Sequence, residues 1–304
     1  MNTLLPLLSL VPAALFAVSA EALQAKSKSL VGKAVAVGDF SVLPLLDREH
    51  SFPLNLFHGT DEAAILAMAG GPQAAGSFNV FLLAHGQERF LVDAGNGTLR
   101  PERQGQLPLC LQAAGTAPEN ISNIFITHAH SDHIGGLVKD GKPAFPRAQV
   151  HMPRAEYDYW MDDEAMRQAP ENVGSMFTLA RGVLRLLEDG KLLRLFTPGE
   201  TLAAGITSVA IFGHTMGHTG YMLTSRGKKI FFVGDLLHAE AIQFARPDIS
   251  LVFDADQSMA AETRRRALKQ VASEAIPIAA THLPFPGIGL VRLAGCGYSF
   301  EVFK

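Results

Sequence analysis

Short apolar runs separated by polar turns, and one long stripe at helical spacing, organise this chain. Phe78-Asn79-Val80-Phe81-Leu82-Leu83 and Arg89-Phe90-Leu91-Val92 read as two paired strands joined by a turn around His85-Gly86-Gln87. The second run ends in Asp93-Ala94-Gly95, a carboxylate at a strand end followed by a turn glycine. Residues 121–126 are mostly apolar, and 124–127 read as a further strand. Residues 154–187 read as helical: Met176, Leu179, Ala180, Val183, Leu184 and Leu187 fall at i, i+3, i+4, i+7, i+8 and i+11. Strands resume over 208–212, 221–224 and 230–233, a helix follows over 258–272, and a strand over 276–281. No internal repeat, low-complexity tract or linker interrupts residues 34–304. Strands interleaved with helices predict one α/β domain over that range.

The first residues follow another pattern. Residues 4–20 are almost wholly apolar and run into Val18-Ser19-Ala20-Glu21-Ala22, whose small residues suit a signal peptidase; Gln24-Ala25-Lys26-Ser27-Lys28 is polar. This reads as a secretory signal over 1–22 and a flexible linker over 23–33, with export to the periplasm or beyond. Met1-Asn2-Thr3 carries no Lys or Arg. An uncleaved anchor is therefore the alternative, for which the apolar run falls short of the roughly 20 residues a span needs.

Composition adds exclusions. With 48% hydrophobic and 18% charged residues the chain is globular with a large core. At a formal charge of −3, with 26 scattered Lys and Arg, it shows no electrostatic footprint for nucleic acid. Its densest basic run, Arg264-Arg265-Arg266, lies in a helical pattern and reads as a solvated face. Cys110 sits in the apolar Leu107-Pro108-Leu109-Cys110-Leu111 and reads as a buried free thiol; with Cys296 as the only other cysteine, a disulfide is permitted but not predicted.

The chemistry concentrates in Thr127-His128-Ala129-His130-Ser131-Asp132-His133-Ile134-Gly135-Gly136. Three imidazoles and a carboxylate within six positions suit zinc, manganese or iron(II). These residues match H-x-H-x-D-H and resemble the signature of the metallo-β-lactamase superfamily. The resemblance implies an αβ/βα four-layer sandwich with metals at one sheet edge, and three further ligands at strand ends. Gly213-His214-Thr215-Met216-Gly217-His218-Thr219 resembles its GHTxGH turn, Phe232-Val233-Gly234-Asp235 its bridging aspartate, and Ala279-Ala280-Thr281-His282 its last histidine. By resemblance His128, His130 and His214 hold one metal and Asp132, His133 and His282 the other, with Asp235 shared. Two divalent ions are implied, zinc foremost, with manganese, cobalt or iron as alternatives. The complete motif resembles zinc glyoxalase II, lactonases, nucleases and methyl parathion hydrolase-like enzymes more than the true β-lactamases.

Residues around the motif carry lesser expectations. His218 reads as a hydrogen-bonder beside the site, Asp93 as an orienter of a ligand histidine or a plain turn cap, and Asp254 and Asp256 as loop and N-cap residues, with an approach to the metals as the alternative. His50, His58, His85 and His151 stand alone and carry no assignment.

The C-terminal half narrows the resemblance. His282-Leu283-Pro284-Phe285-Pro286-Gly287-Ile288-Gly289 resembles a stretch of the methyl parathion hydrolase family, as do Gly234-Asp235-Leu236-Leu237, Ala241-Ile242-Gln243-Phe244 and Tyr157-Asp158-Tyr159-Trp160. This implies hydrolysis of a neutral ester-type bond, in a lactone, aryl ester or phosphotriester, by a hydroxide held between the metals, with Asp132 and Asp235 as catalytic carboxylates. Asp132, or a nearby water, is the expected proton carrier to the leaving group. Trp160, Phe177, His238 and Phe253 are the expected pocket residues, His238 standing where quorum-quenching lactonases carry tyrosine. The expected wall is aromatic and mostly uncharged, suiting a small hydrophobic ester better than a glutathione thioester. A glyoxalase II-like thioesterase and an iron-dependent oxidoreductase of the same fold are the alternatives, and a non-enzymatic partner-binding role is a third. The resemblance also implies a homodimer, without stable membrane association once the signal is removed.

Overall fold

The computed structural model describes residues 29–303. The signal expected over 1–22 lies outside these residues. Part of the expected linker does not: Leu30 is buried, Leu46 N–H donates to Leu30 O and Gly32 N–H to Pro44 O. Residues 30–32 are therefore packed on the domain, because their apolar side chains find a strand to cover.

Two seven-stranded mixed sheets face each other. The first runs in the order Val35–Val37, Phe40–Pro53, Gln73–His85, Glu88–Val92, Ile121–Phe125, Gln149–Pro153 and Leu193–Phe196. Its first four strands are antiparallel and its last four parallel. The second contains Thr201–Ala203, Ile206–Ala210, Thr219–Ser225, Lys228–Gly234, Ile278–Ala280, Ile288–Ala294 and Gly297–Val302. Its single parallel pair, Lys228–Gly234 with Ile278–Ala280, is bridged by the helix Gln257–Glu274.

Period-two alternation sorts the apolar runs into layers. Phe90 and Val92 face the second sheet while Leu91 faces helices; Ile230 and Phe232 face the first sheet while Phe231 and Val233 face the helix Gln257–Glu274. Strands buried on both sides are continuous hydrophobic runs for this reason. Helices Leu107–Ala113, Arg154–Met161 and Glu171–Asp189 cover the outer face of sheet one, so the layers are helix, sheet, sheet, helix, as expected. The stripe Ala180, Val183, Leu184 and Leu187 is buried, each large side chain contributing about 1.5–3 kcal/mol. Among the described residues no helix is long and apolar enough to cross a membrane.

Three expectations need correction. The helical stretch 154–187 is three helices, Arg154–Met161, Asp163–Gln168 and Glu171–Asp189. Asp162 caps the second through Glu164 N–H and Ala165 N–H, and Ala169, extended before Pro170, ends it. Arg264 is not on a solvated face: it is 1% exposed, donates to the carbonyls of Leu236, Pro247 and Ile249, and faces Asp254 at 3.6 Å. The long strand Phe40–Pro53 went unread because its middle, Asp47-Arg48-Glu49-His50, is polar. A register shift between Leu46 and Arg48 accompanies it, and buried Asp47 accepts from Asn96 N–H, Asn96 Nδ2 and Leu107 N–H.

Candidate metal centre

All seven expected ligands converge at one end of the two sheets. His128, His130, Asp132 and His133 follow Ile121–Phe125; His214, Asp235 and His282 follow strands of the other sheet. Ligand atoms of His128, His130, His214 and Asp235 lie within 4.8 Å of one another, as do those of Asp132, His133 and His282. Asp235 joins the two groups: its Oδ1 is 3.0 Å from His133 Nε2, and its Oδ2 is 3.1 Å from His214 Nε2 and 2.9 Å from His282 Nε2. Reaching this point requires Gly234 at φ 48°, where an added Cβ would stand 2.6 Å from His218 Nε2.

The outward ring nitrogens show that the imidazoles are aimed. His133 Nδ1 lies 2.8 Å from Asp93 Oδ2, His214 Nδ1 2.9 Å from Asp254 Oδ1, and His282 Nδ1 3.2 Å from Ser77 O. Each partner only accepts, so each Nδ1 carries a hydrogen and each Nε2 is the atom turned inward, whose lone pair a cation would take. Thr127 Oγ1 donates to Asp93 and lies 3.1 Å from His128 Nδ1. Asp93 holds this position in the left-handed region, φ 61°, which a non-glycine residue adopts only when its surroundings fix it.

Charge accumulates accordingly. Burial opposes ionisation everywhere here. It drives His128 well below the usual imidazole range and His130 down to about 3, each with help from neighbouring imidazoles. For His133, Asp235, Asp93 and Asp132 outweigh burial and hold the ring well above that range. His214 is raised to about 9, against burial, by Asp235 and Asp254. Asp235 is held well below the carboxylate range by the surrounding imidazoles despite its burial. Buried His133 Nε2 and Asp235 Oδ1 face each other at 3.0 Å without hydrogen-bond geometry and have no hydrogen-bond partner among the described residues. Orphaned donor atoms, inward lone pairs and a His/Asp set fit a pair of divalent cations.

Residues 75–282 match the model of the metallo-beta-lactamase superfamily. The chain belongs to that superfamily. Its metal-ligating motif and two-sheet fold are those of a superfamily metallo-hydrolase. The hydrolase AbOPH of this superfamily is similar at 30% identity and a TM-score of 0.83, over 89% of this chain and 97% of that one. AidC, a dizinc quorum-quenching lactonase solved with a homoserine product, is similar at 28% and 0.83, over 90% and 99%. A probable metallo-hydrolase of Mycobacterium tuberculosis is 24% identical over 196 residues, 58% of this chain. The chain spans 62% of that relative's length.

Around the superfamily site the structure adds what the sequence did not reveal. Glu156, fully buried, accepts from Ala129 N–H (2.9 Å), Trp160 Nε1 (2.6 Å), Thr215 Oγ1 (2.6 Å) and Gly217 N–H (3.0 Å), tying the two histidine loops together. Its spacing to Trp160, i to i+4 on one helix face, was the available signal. Asp254 is more than a loop residue, since it orients His214; Asp256 caps Gln257–Glu274 through Met259 N–H. His218 accepts the Asp235 N–H at Nε2 and reaches Ile211 O through Nδ1.

A cavity of about 450 Å³ opens above the cluster, lined by His130, Asp132, His214, Asp235 and His282. Of the expected pocket residues, His238 and Phe253 line it; Trp160 and Phe177 do not. Those two are buried in the core, Trp160 edge-on to His130 at 5.8 Å and held by Glu156, Phe177 packed on Trp160 at 4.7 Å. The wall is instead built by Phe52, Phe78, Met176 and Phe253, with His50 among them. Nor is it free of charge: Arg100 and Arg103 line it as well. His238 Nε2 lies 3.2 Å from Asp235 Oδ2 and its ring stacks on His282.

Proposed function

We propose that this superfamily metallo-hydrolase is a binuclear enzyme for ester-type bonds, with lactones and aryl esters ahead of phosphotriesters. The carrying observation is that five of the seven clustered ligand side chains, His130, Asp132, His214, Asp235 and His282, form the floor of a cavity whose wall carries Phe52, Phe78 and Phe253. His128, His130, His214 and Asp235 would hold one ion, and Asp132, His133, His282 and the shared Asp235 the other. When bound, such a pair supplies Lewis acidity and a water acidified toward neutrality.

The protein's own part follows from the contacts. Asp93, Asp254 and Ser77 O fix the Nδ1 hydrogens and keep three imidazoles oriented. The Asp132 side chain, one-fifth exposed, is open to the cavity and able to take a proton and return it to a leaving oxygen. His238 is kept neutral, burial lowering it to about 4, and holds its Nε2 hydrogen toward Asp235 at the cavity floor. Phe52, Phe78 and Phe253 shed water from an apolar acyl or aryl group.

The test is turnover by the full chain, loaded with zinc, manganese or cobalt, of γ- and δ-lactones, aryl esters, paraoxon-type triesters and a glutathione thioester. Expected is hydrolysis of lactones or aryl esters that chelation abolishes and metal restores. Turnover confined to the thioester, or tightly held iron with oxygen consumption and no hydrolysis, overturns the reading.

A further inference from the structure

We propose that Arg100 and Arg103 form a carboxylate-binding subsite in the cavity wall, so that the substrate is an ester or lactone bearing a carboxylate remote from the bond that breaks. The inference rests on the hydrolase reading above. Both arginines line the same cavity as the metal ligands. Neither has a carboxylate partner among the described residues, whereas Arg181, Arg246 and Arg264 are paired with Asp163, Asp248 and Asp254. Glu102, between them, is exposed and does not line the cavity.

The segment that carries them is anchored. Buried Asp47 accepts from Asn96 N–H (2.8 Å), Asn96 Nδ2 (3.0 Å) and Leu107 N–H (2.8 Å), and Asp47 O accepts from Gln106 N–H. Gly105 N–H closes onto Gly97 O, and a single 3-10 turn, Pro101–Arg103, sets the two arginines three residues apart. Gly95 and Gly105 both press on the Asp47 carboxylate, where an added Cβ would lie 2.6 Å and 2.3 Å from its nearest atom. A loop pinned at both ends gives the guanidinium groups a defined base.

Charge points the same way. Among the described residues, Asp132 and Asp235 are the only carboxylates lining the cavity, and both are proposed ligands whose charge two divalent ions exceed. The filled cavity is then cationic at its floor and at Arg100 and Arg103, with Phe52, Phe78 and Phe253 on its walls. That field attracts an anion with an apolar spacer, and guanidinium forks match a carboxylate.

The experiment compares 4-nitrophenyl hexanoate with mono-4-nitrophenyl adipate, which adds a terminal carboxylate at similar length, on the zinc-loaded full chain. Binding of hexanoate and adipate to the same protein is measured by calorimetry. Expected is a kcat/KM ratio favouring the adipate ester, falling at least about fivefold in the Arg100→Gln/Arg103→Gln double variant and largely retained in Arg100→Lys/Arg103→Lys. The lysine variant and the unfolding midpoint of each protein guard against a folding defect. Hydrolysis of the neutral ester with no preference for the charged one, or a preference unchanged in the glutamine variant, overturns the subsite and leaves the hydrolase reading standing. No turnover of either ester nor of the lactones named above, with adipate still bound more tightly and that preference lost in the glutamine variant, overturns the hydrolase reading and keeps the subsite.

Discussion

A ligand histidine is only as good as the group behind it. His214 reaches Asp235 because Asp254 holds its other nitrogen at 2.9 Å, and Asp254 is itself placed by Leu251 N–H at 3.0 Å and by buried Arg264. Replacing the carboxylate with an amide keeps the shape and removes the charge that favours the Nδ1 hydrogen. For Asp254→Asn we expect zinc affinity to fall about 10- to 100-fold, measured by competition with a chromophoric chelator. An affinity equal to the parent's would show that His214 is positioned by packing alone. The same scale explains why the ligands were legible and the orienting role of Asp254 was not. His128, His130, Asp132 and His133 crowd into six positions, whereas Asp254 stands 40 residues from the ring it serves.

Secondary-structure elements were readable where periodicity was clean and both faces were apolar. Glu88–Val92 and Lys228–Gly234 meet that condition, while Glu171–Asp189 was legible from a single apolar stripe at helical spacing. Phe40–Pro53 does not, because a buried aspartate and a register shift interrupt its pattern. The pocket was the least legible part, since side-chain type does not tell whether an aromatic faces a cavity or a core. Trp160 and Phe177 are on two helices, Arg154–Met161 and Glu171–Asp189, that pack against sheet one, and Glu156 holds the indole N–H within the first of them. Glu156 also joins the loop after Ile121–Phe125 to the loop after Ile206–Ala210. In Glu156→Ala four donors lose their acceptor in a buried place. We expect a loss of at least about 3 kcal/mol in denaturant unfolding together with weakened zinc binding. A variant of parental stability would mean that water replaces the carboxylate there.

At the scale of the molecule, the metal centre is a joint between two halves. His128, His130, Asp132 and His133 come from sheet one, and His214, Asp235 and His282 from sheet two, with the apolar inter-sheet core ending just below them. Without cations, the inward imidazole nitrogens and the buried Asp235 carboxylate leave polar atoms poorly satisfied, as Asp235 Oδ1 and His133 Nε2, 3.0 Å apart without hydrogen-bond geometry, record. Divalent ions relieve that deficit only in the folded state, where both sets of ligands are present together. Binding free energy is then folding free energy, about 2.7 kcal/mol when free metal is 100 times its dissociation constant. Dialysis against a chelator is therefore expected to lower the unfolding midpoint by about 5 °C or more, and added zinc to restore it. The joint makes a further demand. Asp235→Asn removes the one carboxylate shared by both ion sites, so its zinc-induced rise in midpoint must shrink, even though the variant keeps every histidine. If Asp235→Asn gains as much from zinc as the parent does, the ions do not bridge the two sheets through Asp235, and the two groups of ligands act as independent sites.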